Sequence, residues 1–413
     1  MAKWGESSSR PARRQTQKRK KRSPALFVGL VLVLGLAGFG IWRILIAPAL
    51  DTDNYGTGSK STLETQLPEW AVVSLVAVGD NLPDIAIGSY ADACAGELGD
   101  GLYNYSPIYA PLKPYIEAAD LAYVCFETHA GGDAIGPRGW PSFNVTDTMV
   151  DALYDTGFNL IASATNHSYD WGLDALVHSA SLWEQKDVLF AGTAISAEDA
   201  AVIKIIERNG IVFSLLSYTY GVNAYTEADI PAYAVNWMDE DRIPSDIARA
   251  RAVSDVVLVA MHWGTEMLTE ADPTQQYFAQ LIADAGADVI LGSHTHVIGP
   301  VSWLEGANGH KTLVAYSLGN FLSDHDYPEL LNDLGGMLSC DFVKTATGVK
   351  IMNVAWTPLV MHAADGAFAI YALPDYTPEL AAANSIMSSL DDPIGWLEAS
   401  TIEIVGPAVA VKS

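Results

Sequence analysis

The sequence predicts an α/β protein whose mixed β-structure forms one sheet or two packed sheets covered by helices. Three observations predict it. Apolar runs of strand length alternate with helical patterns from residue 70 to about 191. Asn209-Gly210 between two apolar runs signals a hairpin, and paired runs at 337–343 and 349–356 signal another. No internal repeat is present, so a solenoid is excluded. Elements in that order bury their apolar faces by layering sheets and helices.

Trp70–Val78 (WAVVSLVAV) is a β-branched apolar run that ends at Gly79-Asp80, a buried strand entering a loop. Pro107–Ala119 places Ile108, Leu112, Tyr115 and Ile116 on one helical face. Leu121–Phe126 reads as a strand, and the Gly-rich stretch 131–139 as a loop. A helix follows at Thr146–Thr156, a strand at Asn159–Ala164, a helix at Leu173–Gln185 and a strand at Val188–Ala191. Val202–Glu207 and Ile211–Ser217 flank the Asn-Gly turn. Helices at Asp239–Val253 and Thr274–Ala285 alternate with strands at Val256–Met261, Asp288–Leu291 and Lys311–Tyr316. Met337–Val343 and Val349–Trp356 read as a terminal hairpin, and beyond about Pro374 the signals weaken.

The N-terminus has a different character. Pro24–Trp42 carries no charge, and Lys18–Arg22 precedes it. That length crosses about 30 Å of hydrocarbon at about 1.5 Å per residue. The positive-inside rule holds the basic end in the cytoplasm and sends the C-terminus out. The rival is a cleaved signal peptide, with Ala47-Pro48-Ala49 as its cleavage site; the long apolar stretch and long basic head favour an uncleaved signal anchor. The expected organisation is a basic cytoplasmic segment at 1–23, a transmembrane signal anchor at 24–46, a polar linker at 47–68, a folded domain at 69–373 and an extension at 374–413. The chain would then be a single-pass cell-membrane protein with its domain outside the cell.

Charge follows the same division. The chain has 23 Lys/Arg against 49 Asp/Glu, and residues 1–50 hold ten of the bases and only Glu6 of the acids. The remainder therefore carries 13 bases, 48 acids and a net charge of −35. A domain that acidic repels nucleic acid, which excludes nucleic-acid partners, and repels polyanions unless bound cations offset the field. The three cysteines are Cys94, Cys125 and Cys340. Cys125 reads as a small buried hydrophobe, and a Cys94–Cys340 disulfide is open outside the cell.

Metal-type ligands stand at the ends of the apolar runs: Asp80, Glu127, Asn166, His262, His294 and His296. Ligands bind open α/β sheets at the carboxyl ends of strands, so these side chains can converge on one crevice. Oxygen and imidazole donors suit Mn, Zn, Fe or Mg. Glu127 can bridge two cations, and in an extended segment His294 and His296 point to one side. His167, next to a ligand, can protonate a leaving group. Singly, each has a structural explanation: a turn-forming Asp, a capping Glu, a turn Asn. Their conjunction points to a site for one or two divalent ions. Glu266 is either the partner of a ligand histidine or an outer substrate contact. Asn320 is either a turn residue or part of the site. Arg138 either clamps an anionic substrate group or is a solvated loop charge.

The stretches AVGD (77–80), FET (126–128), TNHSYDWG (165–172), HWGTE (262–266), GSHTHV (292–297) and YSLGNF (316–321) together resemble the CapA family of bacterial capsule and poly-γ-glutamate synthesis. That family is related to calcineurin-like metallophosphatases. The resemblance implies a metallophosphatase-like fold of two packed mixed sheets flanked by helices. It also implies the six ligands named above and an acid-like role for His167. As partners it implies a cell-envelope polymer and other capsule-synthesis membrane proteins. Metallophosphatases usually open with Asp-Xaa-His, whereas this chain has Asp80-Asn81-Leu82, so one metal site lacks a ligand. Two functions are expected from these features. One is a metal-dependent hydrolase of a phosphoester or amide bond in such a polymer. The other is a non-catalytic assembly or export factor. A glycoside hydrolase using Asp80 and Glu127 would leave the histidines unexplained.

Overall fold

Alternation at period two sets the layers. In β1 (Val72–Leu82), Val73, Leu75 and Ala77 face one core while Val76 and Val78 face another. The same division repeats in β2 (Leu121–Phe126), with Leu121 and Tyr123 on one side and Ala122, Val124 and Phe126 on the other. The structure is a computed structural model and describes residues 71–324 and 330–412.

The first sheet continues through β3 (Leu160–Ala162) and β4 (Leu189–Ala191), all parallel to β1. On its other flank run the antiparallel strands β12 (Leu334–Thr345), β13 (Gly348–Ala364) and β14 (Ala367–Ala372). The strand order is β14-β13-β12-β1-β2-β3-β4. Two short strands join it: β11 (Asn320–Ser323) beside the end of β1, and β15 (Ala410–Val411) beside β13.

The second sheet is parallel at its centre and antiparallel at its edges. Its parallel centre comprises β6 (Ile211–Thr219), β7 (Val256–His262), β8 (Val289–Ser293) and β10 (Lys311–Ala315). Antiparallel β5 (Ile205–Arg208) and β9 (Val301–Glu305) form the edges. β5 and β6 are the expected Asn-Gly hairpin, with φ of 48° at Asn209 and 75° at Gly210, the signs a type I′ turn requires.

The two sheets pack face to face. One core joins Val73, Leu75 and Tyr123 of the first sheet to Phe213, Leu258 and Leu291 of the second. Helices cover both outer faces. Those at Thr148–Thr156 and Gly172–Trp183 place Met149, Leu153 and Trp183 against the first sheet. Those at Arg242–Arg251 and Pro273–Asp284 place Ile243, Ile247 and Ile282 against the second. Two packed mixed sheets therefore replace the single-sheet alternative.

Several local expectations change. β1 runs on through Asp80 to Leu82, because β11 pairs with its end after β12 has diverged. The expected helix 107–119 is two short helices, Ser106–Tyr109 and Lys113–Glu117. Pro114 lies in the first turn of the second, where its missing N–H and fixed φ are tolerated; in mid-helix they are not. The helix Ile85–Ala95, rich in small residues, and strands β9, β11 and β14 lie outside the expected elements. Residues 374–412 add the helix Pro393–Val405, which buries Leu397 and Val405 in the core between the sheets. All three cysteines are free thiols, so Cys94 and Cys340 are not bridged. The expected basic segment, signal anchor at 24–46 and linker lie outside the described residues. Among the described residues no helix is long and apolar enough to cross a membrane.

Candidate metal centre

The carboxyl ends of parallel strands from both sheets meet at one place. Asp80 lies near the end of β1, Glu127 follows β2, and the loop after β3 carries Asn166 and His167. From the second sheet, His262 is the last residue of β7, and His294 and His296 follow β8. All seven side chains are buried, and His167 and His296 are the most accessible at 6%.

Two glycines allow the approach. The Asp80 N–H donates to Gly319 O at 2.9 Å. A Cβ on Gly79 would lie 1.8 Å from that same oxygen, so only glycine fits there. A Cβ on Gly292 would lie 2.0 Å from Tyr316 O, which lets β8 pass close to the 316–319 turn before delivering His294.

The ligand atoms form two groups around His262. On one side its Nδ1 is 4.0 Å from Asp80 Oδ1, 3.9 Å from Cys125 Sγ and 3.0 Å from Ser293 Oγ. On the other its Nε2 is 2.7 Å from Asn166 Oδ1 and 3.4 Å from Glu127 Oε1. Glu127, His294 and His296 can each bring a ligand atom within 4.8 Å of the others, as can Asp80, Cys125 and His262. The His262 and His294 rings lie 4.7 Å apart.

Segment 294–296 is not extended. φ is 94° at His294 and 61° at His296, so the chain turns, and the expected strand alternation does not apply. The two imidazoles reach Glu127 through that turn instead. The His294 N–H donates to Asp80 Oδ2 at 2.9 Å, tying the turn to β1.

Burial dominates the electrostatics of the site and disfavours the charged form of its groups. Burial, then the neighbouring Glu127, holds the Asp80 carboxyl well above its usual range. Burial pushes Glu127 up to about 8. Burial pushes His294 down to about 2 and His262 far below its ordinary value, so both imidazoles are neutral. His167 differs. Burial alone would lower it, but Asp170 Oδ2 at 2.7 Å from Nδ1 outweighs that and raises it.

Four atoms show what the group can hold. Asp80 Oδ1, both Glu127 carboxylate oxygens and His294 Nδ1 are buried without a hydrogen bond of ordinary geometry. Buried polar atoms left unpaired are costly, and here they are three carboxylate oxygens and an imidazole nitrogen in adjoining groups. Divalent cations fit that donor set. The expected six ligands are thus brought together, with Asn166 Oδ1 turned to His262 Nε2.

Of the outlying candidates, Asn320 belongs to the site. Its Oδ1 is 3.0 Å from His296 Nδ1, and its Nδ2 donates to Asn332 O at 3.2 Å. His296 Nδ1 therefore carries the proton, which leaves Nε2 as its lone-pair nitrogen. Glu266 is exposed on the loop after β7, close enough to raise both Glu127 and His167. Arg138 is not brought in: it is exposed and donates to the neighbouring Pro137 O at 3.0 Å.

Sequence reasoning missed three contributors. Cys125 is buried as expected, but its sulfur faces Asp80 and His262. Asp170 orients His167, and the His-Xaa-Xaa-Asp spacing within TNHSYDWG was its only signal. The ring of His129 bonds the Ser168 carbonyl and so braces that loop.

The family model described as "Bacterial capsule synthesis protein PGA_cap" matches residues 74–325. The "PGA biosynthesis protein CapA" of Bacillus subtilis is 24% identical, over 84% of this chain and 83% of that protein. The "Capsule biosynthesis protein CapA" of Bacillus anthracis is 28% identical, over 76% of this chain and 71% of that protein. Among solved structures, the NAD nucleotidase of Haemophilus influenzae aligns with 83% of this chain and 57% of its own length, at 13% identity and a TM-score of 0.40. A likeness that loose assigns no activity. The match over residues 74–325 spans every residue brought together above, and the chain belongs to the bacterial capsule synthesis protein PGA_cap family.

Proposed function

We propose that this protein is a metal-dependent hydrolase of metallophosphatase type that cleaves a phosphoester or amide bond in a capsule or cell-envelope polymer of the poly-γ-glutamate kind. One observation carries the proposal. The His167–Asp170 pair, 2.7 Å apart, sits beside Glu127, both of whose carboxyl oxygens are buried without a hydrogen bond of ordinary geometry. A site that only held a cation would have no use for an imidazole whose affinity for a proton is raised by its own carboxylate partner.

The roles follow from the contacts. Asp80, Glu127, His262, His294 and His296 would hold one or two divalent ions (Mn, Zn, Fe or Mg), with Asn166 and Asn320 fixing the imidazoles of His262 and His296. Bound there, such ions supply Lewis acidity and a nucleophile at neutral pH. His167 holds a proton on Nε2 while Asp170 keeps Nδ1–H aligned, and it donates that proton to the departing oxygen or nitrogen. The capsule polymer is suggested by the names of the two Bacillus relatives. A polyanion would approach a domain of net charge −35 only where cations offset the field. The uncharged run Pro24–Trp42 and the basic residues before it support anchoring in the membrane, with the domain outside the cell and other capsule-synthesis membrane proteins beside it.

The test is metal analysis of the full-length protein together with turnover on a panel of phosphodiesters and γ-glutamyl peptides. His296→Ala should lose metal, whereas His167→Ala should keep metal and lose turnover. Protease added to intact cells should remove the domain. A second reading, a non-catalytic assembly or export factor, is favoured by Leu82, whose buried apolar side chain stands where metallophosphatases usually place a ligand. Metal-loaded wild type that turns over no member of the panel would establish that reading instead.

A further inference from the structure

β2 contributes more to the centre than the carboxylate that follows it. Cys125 Sγ lies 3.9 Å from His262 Nδ1, and Asp80 Oδ1 lies 4.0 Å from the same nitrogen. Ligand atoms of the three residues fall within 4.8 Å of one another. A tetrahedral centre with bonds of about 2.0–2.3 Å separates its ligand atoms by about 3.3–3.6 Å. The three atoms are thus within a small side-chain adjustment of binding one ion. Asp80 Oδ1 is buried without a hydrogen bond of ordinary geometry and faces this space.

The rest of the chain leaves the sulfur there. Cys125 is 1% exposed, and its backbone is fixed between β1 and β3 by the pairs Asp80–Cys125 and Cys125–Ala162. His262 Nε2 is taken up by Asn166 Oδ1, so Nδ1 is the nitrogen presented to Asp80 and Cys125. The Ser293 hydroxyl is 3.0 Å from that nitrogen and would yield its place to a cation.

We propose that Cys125 is a metal ligand, and that Asp80, Cys125 and His262 Nδ1 form a mixed oxygen, sulfur and nitrogen half-site selecting zinc or iron over magnesium or manganese. This rests on the metal-centre reading above and deepens it. On binding, the sulfur gives a lone pair to the ion and its proton passes to solvent; nothing is oxidised or reduced. The other half, Glu127 with His294 and His296, offers only oxygen and nitrogen and lacks the added preference that a thiolate gives.

Zinc-edge X-ray absorption on the zinc-loaded full-length protein tests this. The expected spectrum contains a sulfur shell at about 2.3 Å beside nitrogen and oxygen at about 2.0–2.1 Å. That shell should persist in the Cys94→Ser, Cys340→Ser double variant and vanish in Cys125→Ser. In competition binding, Cys125→Ser should lose at least about tenfold of the preference for zinc over manganese. A zinc-loaded wild type with nitrogen and oxygen neighbours alone would sink the role of Cys125 and leave the metal centre standing. A wild type that binds no divalent ion would overturn both. The double variant keeps Cys125, so its spectrum decides the matter even if Cys125→Ser does not fold.

Discussion

His167 Nδ1 and Asp170 Oδ2 are 2.7 Å apart, and the same carboxylate oxygen accepts the Phe143 N–H at 2.8 Å. Asp170 is thereby held by the 131–145 loop while it holds His167. The arrangement fixes the tautomer, with the Nδ1 proton toward Asp170 and Nε2 free to face the centre.

The first prediction follows from that pair. His167→Ala should lower turnover by about 10²–10⁴-fold with metal content unchanged. Asp170→Asn removes the interaction that raises His167 above its ordinary 6.5. Burial is then opposed only by the weaker pull of Glu127 and Glu266, and the basic limb of the kcat/KM profile should move to lower pH. An unmoved limb in Asp170→Asn would assign the proton transfer to another group.

Glu127 governs how metal-free stability responds to base. Its folded-state value of about 8 exceeds the ordinary 4.5, so the folded state holds the proton more tightly. Its stabilising contribution is complete below pH 4.5 and is lost as pH rises through 8. Glu127→Gln should therefore raise the melting temperature of metal-free protein at pH 8. It should also diminish the rise that added divalent cation produces in wild type. Calorimetry with and without chelator checks both, and a metal-free variant less stable than wild type at pH 8 contradicts the account.

The histidines act from the acid side. His294 is lowered from 6.5 to about 2, so unfolding below pH 6.5 takes up a proton that the folded state refuses. The histidines' contribution to the stability of the metal-free protein should fall as pH drops below 6.5, His262 adding to His294 and Glu127 acting in the opposite sense. Replacing His294 with Asn should reduce proton uptake on acid unfolding by about one. Urea titrations across pH 4 to 7 would show an unchanged slope if the ring were already charged in the folded state.

Asn320 orients His296 without being counted among the ligands. Asn320→Ala should weaken divalent-cation binding by about 10–100-fold while the fold persists, as isothermal titration and circular dichroism would record. Unaltered affinity would mean that His296 keeps its orientation by other contacts.

Much of this was legible along the chain. Strand alternation in 72–78 and 121–126, the Asn209-Gly210 turn and ligand-type residues at strand ends depend on local periodicity and turn chemistry, which one segment expresses by itself. The sequence alone thus determined the α/β class, the acidic character of residues 51–413 and the identity of six residues whose side chains cluster. Tertiary structure decided which atoms of those residues meet. His262 faces Asp80 and Cys125 with Nδ1 and Asn166 with Nε2 only because β7 is packed across from β1 and β2. It also separated Asn320, which touches His296, from Arg138, which does not approach the site. Cys125 looked like any buried apolar residue because alternation reports burial. What a buried side chain faces is set by contacts between segments more than a hundred residues apart, as with Cys125 and His262.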